Sequence, residues 1–281
     1  MHKITILFIL FVTSVMLHAQ QDTKYFFFIH ATDPQFGFIE NNKGFAGEAA
    51  LMYKAVEIIN TLRPDFVVFT GDHVHDPYSA AQIEEFKKIL AQVNNEIPVY
   101  LVPGNHDIPD ANNQTQVEQY IATYGSDRFF FTHKQVQFLG INSCYLKDDA
   151  LQYEDSQFRW MQDALKAQNG NQLRTFVFMH HPLFLETPDE ADSHANILLD
   201  KRKRYIRFFK ENNVKAVFSG HLHYPLHAKD GSLDFFTAGA VGRVLGNGYH
   251  GMNLVKVSPE THECTYISLE DFPTKIDCMK Q

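Results

Sequence analysis

Val102-Pro103-Gly104-Asn105-His106-Asp107 sets an imidazole and an amide beside a carboxylate at the end of an apolar run. The residues before it, Ile97 to Val102, are short, apolar and closed by Pro-Gly, the pattern of a buried strand ending in a sharp turn. Asn105 and His106 then sit at the carboxyl end of that strand. In open α/β sheets that edge binds ligands, because the strands are rigid and the loops leaving them carry the chemistry. Taken singly, Gly-Asn-His-Asp is also an ordinary turn, since Asn and Asp favour turns for local reasons. The rest of the chain decides between the two.

Working back from this stretch, Tyr25 to Ile29 is aromatic and apolar without alternation, as in a strand covered on both faces, and it leads to Asp33 and Gln35. Leu51, Ala55, Ile58 and Leu62 recur at helical spacing until Arg63-Pro64, and the strand Phe66 to Phe69 then runs into Gly71-Asp72. Ser79 and Gln82 have capping-box spacing ahead of a stripe of Ile83, Phe86, Leu90 and Val93. Three strand-then-helix units predict a largely parallel sheet with a candidate ligand at each strand end.

Working forward, Arg128 to Phe131 and Val136 to Ile141 read as neighbouring strands. A helix carrying Phe158, Met161 and Leu165 follows and ends at Gly170. Phe176 to Phe178 leads to His180-His181, and Ala216 to Phe218 leads to Gly220-His221-Leu222-His223. From Leu233 onward the pattern is of antiparallel strands, with Gly239 to Gly251 a long glycine-rich turn. There is no internal repeat and no low-complexity linker.

The chain has 281 residues, 44% of them hydrophobic, enough for one large domain over 20–281 with a filled core. A net charge of -8 argues against an electrostatic nucleic-acid binder. Lys201-Arg202-Lys203-Arg204 is the basic exception. It lies within a helical stripe of Ile197, Leu198, Tyr205, Phe208 and Phe209, so a solvated helix face is expected rather than a binding patch. Residues 1–19 read as a signal peptide, with Lys3 before the apolar run Ile4 to Leu17 and Ala19 at the cleavage position. A membrane anchor is the rival, but the run falls short of the ~20 residues a spanning helix needs and lacks a basic stop. The expectation is therefore a periplasmic or secreted protein without stable membrane insertion. Cys144, Cys264 and Cys278 make an odd count that requires no disulfide framework and leaves at least one unpaired thiol, expected to be buried.

Asp33, Asp72, Asn105, His180, His221 and His223 are oxygen and imidazole donors at strand ends on one edge, a set suited to two divalent cations. Each alone has a structural alternative: Asp33 and Asp72 as caps, His180 and His181 as a core pair, His221 and His223 on opposite strand faces. Their common location favours the metal reading. Two adjacent cations clamp a phosphoryl group and offset the charge that develops on displacement.

The series Asp33-x-Gln35, Gly71-Asp72, Gly104-Asn105-His106-Asp107, His180 and Gly220-His221-x-His223 resembles the calcineurin-like metallophosphoesterases. Asp33-Pro34-Gln35-Phe36-Gly37 and Gly239-Ala240-Val241-Gly242-Arg243 are similar to the calcineurin-like phosphoesterase domain-containing protein branch, which contains protein phosphatases. The resemblance implies an α/β fold, a four-layer α/β/β/α sandwich of two mixed sheets. It also implies two divalent ions (manganese, iron, zinc or magnesium) with Asp72 bridging, Asp33 and His223 on the first, and Asn105, His180 and His221 on the second. His106 would be the acid near the leaving group. The family usually has His where Gln35 stands, so the first ion takes an amide oxygen or loses a ligand. It commonly has an acid where His75 stands, which leaves His106 to be served by Asp76 through a loop shift, or His75 to touch the phosphate itself. His73 is expected in an exposed turn. The implied activity is hydrolysis of phosphomonoesters, on a phosphoprotein or a small phosphorylated metabolite. A phosphodiesterase and a catalytically weak phosphate- or nucleotide-binding protein are the alternatives. The sequence does not give the oligomeric state.

Overall fold

The computed structural model describes residues 25–166 and 173–276. The leader, Gly170 and Cys278 lie outside the described residues. Strand β1 (Phe26–Ala31) is buried along its whole length, and its side chains divide by alternation. Phe27, Ile29 and Ala31 face one apolar layer, while Phe26 and Phe28 face another. Beside it run β2 (Val67–Thr70) and β3 (Val99–Val102), both parallel to their neighbours. The connections are helices α1 (Ala46–Leu62) and α2 (Ala80–Leu90). Arg63 ends α1 in a left-handed conformation with its N–H on the Ile59 carbonyl, immediately before Pro64.

After helix α3 (Gln114–Tyr124), the strands β4 (Phe129–His133) and β5 (Val136–Gly140) form an antiparallel pair that opens a second sheet. The short helix α4 (Cys144–Lys147) and the longer α5 (Leu151–Ala164) precede β6 (Arg174–Phe178). Helix α6 (Leu199–Glu211), β7 (Val214–Ser219), β8 (Leu226–Asp230) and β9 (Leu233–Thr237) follow. The last strands, β10 (Gly251–Val257) and β11 (His262–Ser268), return to the first sheet, where β10 pairs antiparallel with β1. The sheet orders are β11-β10-β1-β2-β3 and β4-β5-β6-β7-β9-β8. α1 and α2 pack on the outer face of the first sheet, and α3, α5 and α6 on that of the second. This is the expected α/β/β/α sandwich.

Phenylalanines fill the space between the sheets. Phe28 stacks on Phe66 at 4.8 Å and meets the Phe218 ring edge-on at 5.6 Å, while Phe178 and Phe218 stack at 5.1 Å. Rigid rings suit this layer because they cover much area with few rotamers to freeze.

Several expectations fail here for identifiable reasons. Ser79 precedes α2 but makes no capping bond; buried Gln82 accepts the Asp76 N–H at 3.0 Å and donates to Asn42 at 2.8 Å, so its amide serves loops instead. In the basic run only Lys203 and Arg204 reach solvent. Lys201 is buried in ion pairs with Glu154 and Asp149, and the fully buried Arg202 donates to the carbonyls of Ile197, Pro188 and Glu190. β9 pairs in parallel with β7 besides its antiparallel partner β8, an edge strand that begins before Leu233. No described helix is long and apolar enough to cross a membrane.

Phe28→Ala should leave a cavity between two sheets that cannot collapse onto it, costing about 3–5 kcal/mol by denaturant titration.

Candidate metal centre

The carboxyl ends of β1, β2, β3, β6 and β7 meet at one edge of the sandwich, and the loops leaving them carry every proposed ligand. Asp33, Gln35, Asp72, His221 and His223 all have positive φ, between 38° and 71°. Each such conformation costs ~1 kcal/mol or more in a residue with a side chain, so the surroundings must enforce it. They do so by hydrogen bonds: Asp33 N–H to the Gly71 carbonyl, Gln35 N–H to the Asp72 carbonyl, and His221 N–H to Asp33 Oδ2 at 2.9 Å. The loops after β2 and β3 touch through glycines. A Cβ on Gly104 would lie 2.2 Å from Asp72 Oδ1 and 2.8 Å from the His180 ring, so only glycine fits. Buried Asp107 clamps the same loops, accepting from His73 N–H and Gly104 N–H at 2.9 Å each.

The imidazoles share one design. A backbone carbonyl can only accept, so each contact with one fixes a tautomer. His180 Nδ1 donates to the Thr70 carbonyl at 2.7 Å, His221 Nε2 to the His194 carbonyl at 3.1 Å, and His223 Nδ1 to the Arg243 carbonyl. The other nitrogen of each ring faces the centre. His180 Nε2 lies 3.1 Å from Asn105 Oδ1, 3.4 Å from Asp72 Oδ2 and 3.2 Å from His221 Nδ1. His223 Nε2 lies 3.4 Å from Asp33 Oδ1. Lone pairs aimed at one another repel unless a proton or a cation lies among them. Metal-ligating histidines are oriented in this way, through the nitrogen that does not bind.

The electrostatics agree. Burial works against ionisation of Asp72, yet the charge and hydrogen bond of His180, with the nearby His106, outweigh it and hold the carboxyl well below its usual range. Burial would lower His180, but Asp72 and Asp33 raise it to about 9. A proton on His180 thus supplies positive charge that the two buried carboxylates demand. His221 is lowered to about 3 by burial and by His180, which leaves it neutral. Asp33 Oδ1 and Gln35 Oε1 are buried and have no hydrogen-bond partner. Orphaned oxygens beside inward-facing imidazole nitrogens, one of which draws a proton in the cation's place, are what divalent cations would satisfy, so the donor set fits them. Asp33, Asp72 and His180 offer donor atoms within 4.8 Å of one another, and so do His180, His181 and His221.

His181 and Ser143 carry a role that sequence reasoning missed. Ser143 Oγ accepts the backbone N–H groups of His180 and His181 at 3.1 and 3.0 Å and bonds His181 Nδ1 at 3.0 Å, fixing the turn that presents His180. Nothing in the sequence around Ser143 signals this beyond its place after β5.

His106 also hangs from a carbonyl: its Nδ1 donates to the His75 carbonyl at 3.0 Å. Asp76 therefore does not orient it; that carboxylate accepts the Tyr78 N–H instead, because the backbone already reaches His106. The His75 ring stacks on Phe38 (4.9 Å) and on His106 (4.6 Å), which also meet each other at 6.4 Å. Gln35 Nε2 lies 3.4 Å from His75 Nδ1, which turns the orphaned Oε1 the other way. His73 is fully buried rather than exposed, stacked on Phe86 at 4.9 Å, and burial lowers it to about 3.

A family model described as calcineurin-like phosphoesterase matches residues 28–225, which span all five ligand-bearing loops. The chain belongs to the calcineurin-like phosphoesterases. It is therefore a hydrolase acting on phosphoric esters. The human serine/threonine-protein phosphatase CPPED1 is 35% identical over 269 residues, covering 89% of this chain and 86% of the relative. The zebrafish (Danio rerio) protein of that name is 34% identical over 263 residues, covering 87% of this chain and 85% of the relative. Among solved structures, a dimetal phosphatase from Danio rerio superposes with a TM-score of 0.64 at 15% identity, covering 87% of this phosphoesterase and 96% of that chain. At that identity the likeness concerns the fold alone.

Gly104→Ala should disturb Asp72 and His180 together. The expected result is a folded protein by circular dichroism that retains less than half the wild-type metal by elemental analysis after dialysis against a fixed low metal concentration.

Proposed function

We propose that this phosphoesterase is an exported hydrolase of phosphomonoesters working at a dinuclear centre. Asp72 would bridge the two ions. Asp33, Gln35 and His223 would hold the first, and Asn105, His180 and His221 the second. The observation that carries this reading is the set of carbonyl-pinned imidazoles facing two carboxylates, one with an orphaned oxygen, and the orphaned amide oxygen of Gln35. Divalent cations bound there would polarise a phosphoryl group and make water more acidic. They would be manganese, iron, zinc or magnesium, and the amide oxygen of Gln35 favours manganese or magnesium over the later metals.

The protein's own part is proton handling and positioning. With Nδ1 committed to the His75 carbonyl, His106 can exchange a proton only through Nε2, and the stack on His75 and Phe38 holds that nitrogen in place. A fixed donor suits the departing oxygen of a monoester, which must be protonated as the ester bond breaks. The relatives named as serine/threonine-protein phosphatases support a phosphoprotein as substrate.

The test is turnover of aryl phosphates, phosphodiesters and phosphopeptides with manganese, zinc, iron and magnesium supplied in turn. Two metals per chain with monoesters hydrolysed fastest supports the reading. One metal without turnover points to a binding protein, and faster diester cleavage to a phosphodiesterase. His106→Ala should keep the metals and slow hydrolysis by about 10²- to 10⁴-fold, the range for losing a general acid, with the loss shrinking as leaving groups improve. If metal content falls instead, His106 is a ligand. Export predicts that the mature protein recovered outside the cytoplasm has a mass beginning near Gln20; a full-length mass there removes the signal peptide.

A further inference from the structure

Arg243 is exposed at the rim of the centre, and its root is fixed there. Its carbonyl accepts from His223 Nδ1, and the preceding Gly242 packs so closely that a Cβ would lie 2.3 Å from the Pro34 carbonyl. The guanidinium lies over Phe38, 4.6 Å from the ring centre, and donates one N–H to the Phe38 carbonyl at 3.4 Å. Among the described residues no carboxylate pairs with it. Arg63, Arg128, Arg202 and Arg204 each reach one; Arg159, Arg174 and Arg207 do not either, but of these last three and Arg243 only Arg243 hangs from a loop whose carbonyl holds a proposed ligand, His223. A cation held on an aromatic face beside a centre that gathers cations is electrostatically costly unless an anion joins them.

The stack also sets what that anion is. Phe38 meets His75 at 4.9 Å and His106 at 6.4 Å, and the guanidinium lies against that same ring, so it reaches the site through Phe38 and, among the described residues, makes no hydrogen bond or ion pair with His106 or with a proposed ligand side chain. The Arg243 guanidinium thus stands beside His106 and the proposed ligands rather than among them, on the same rim.

We propose that Arg243 is a specificity-determining residue that binds a second anionic group, carboxylate or phosphate, on a substrate whose scissile phosphate occupies the metal centre. The inference rests on the hydrolase reading above. Arg243 supplies paired N–H donors in a planar fork that carboxylate and phosphate both match. The second group would come from an acidic residue flanking a phosphoserine or from a further phosphate on a small metabolite.

Two substrate pairs separate these sources. One is a phosphoserine peptide flanked by glutamates against the same peptide with glutamines; the other is a hexose bisphosphate against the monophosphate. Each is measured with the manganese-loaded full chain. The wild type should prefer the doubly anionic member of at least one pair by about tenfold, through KM, as expected for one charge-assisted contact. In Arg243→Gln the ratio should fall to near one, and Arg243→Lys should restore part of it. Preference in the peptide pair alone identifies an acidic phosphoprotein, and in the sugar pair alone a bisphosphorylated metabolite. No preference in the wild type, or a preference kept by Arg243→Gln, overturns the proposal. So does an equal loss of kcat on both members, which would place Arg243 on the transferred phosphoryl group. If no phosphoester turns over with any metal, the hydrolase reading falls. Calorimetric Kd ratios for the same peptide pair then judge Arg243 on their own.

Discussion

Asp33 and Asp72 are carboxylates with almost no exposure to solvent, set where the ends of the parallel strands of both sheets converge. Buried charges of one sign are costly unless opposite charge and hydrogen bonds surround them. The neighbouring architecture answers that cost. Backbone N–H groups of His106 and His221 bond the two carboxylates, and the His180 and His223 rings approach them from the second sheet. Strained loop conformations persist here because the hydrogen bonds that hold them also serve this charge. Strain concentrated at such a place is typical of a site shaped for binding rather than stability.

Neither sheet builds the centre alone. Asp33, Gln35, Asp72 and Asn105 come from loops of the first sheet, and the three histidines from loops of the second. The bond from His180 Nδ1 to the Thr70 carbonyl crosses between them, and Thr70 Oγ1 is held in turn by His30, buried between the sheets and lowered to about 3 by that burial. The phenylalanine layer below keeps the two edges at fixed separation, so ligand geometry depends on packing many residues away. A family likeness in fold is therefore also a likeness in what the fold can hold together.

Much of this was legible in the sequence because punctuation and chemistry coincided. Pro103-Gly104, Gly71 and Gly220 mark strand ends, and each is followed at once by a potential ligand. The residues misjudged have partners far away in the chain. His73 is buried by Phe86 and by the Asp107 clamp, and Lys201 by Glu154, 47 residues earlier. Asp76 lost its part to a backbone carbonyl, a group present at every residue and so invisible as a motif. Phe38 and Arg243, some two hundred residues apart, meet only through the return of the C-terminal segment.

That return has a consequence for how the chain is made. β1 is apolar on both faces, and one of its hydrogen-bonding edges is covered only by β10, whose residues lie more than two hundred positions later. Until synthesis reaches Val257, a phenylalanine-rich strand stands with an open edge, the condition under which strands pair with the wrong partner. The sandwich cannot close from its N-terminal half alone. A chain released before that point would keep most of its ligand loops and still lack the strand that shields the edge of this buried, phenylalanine-rich segment.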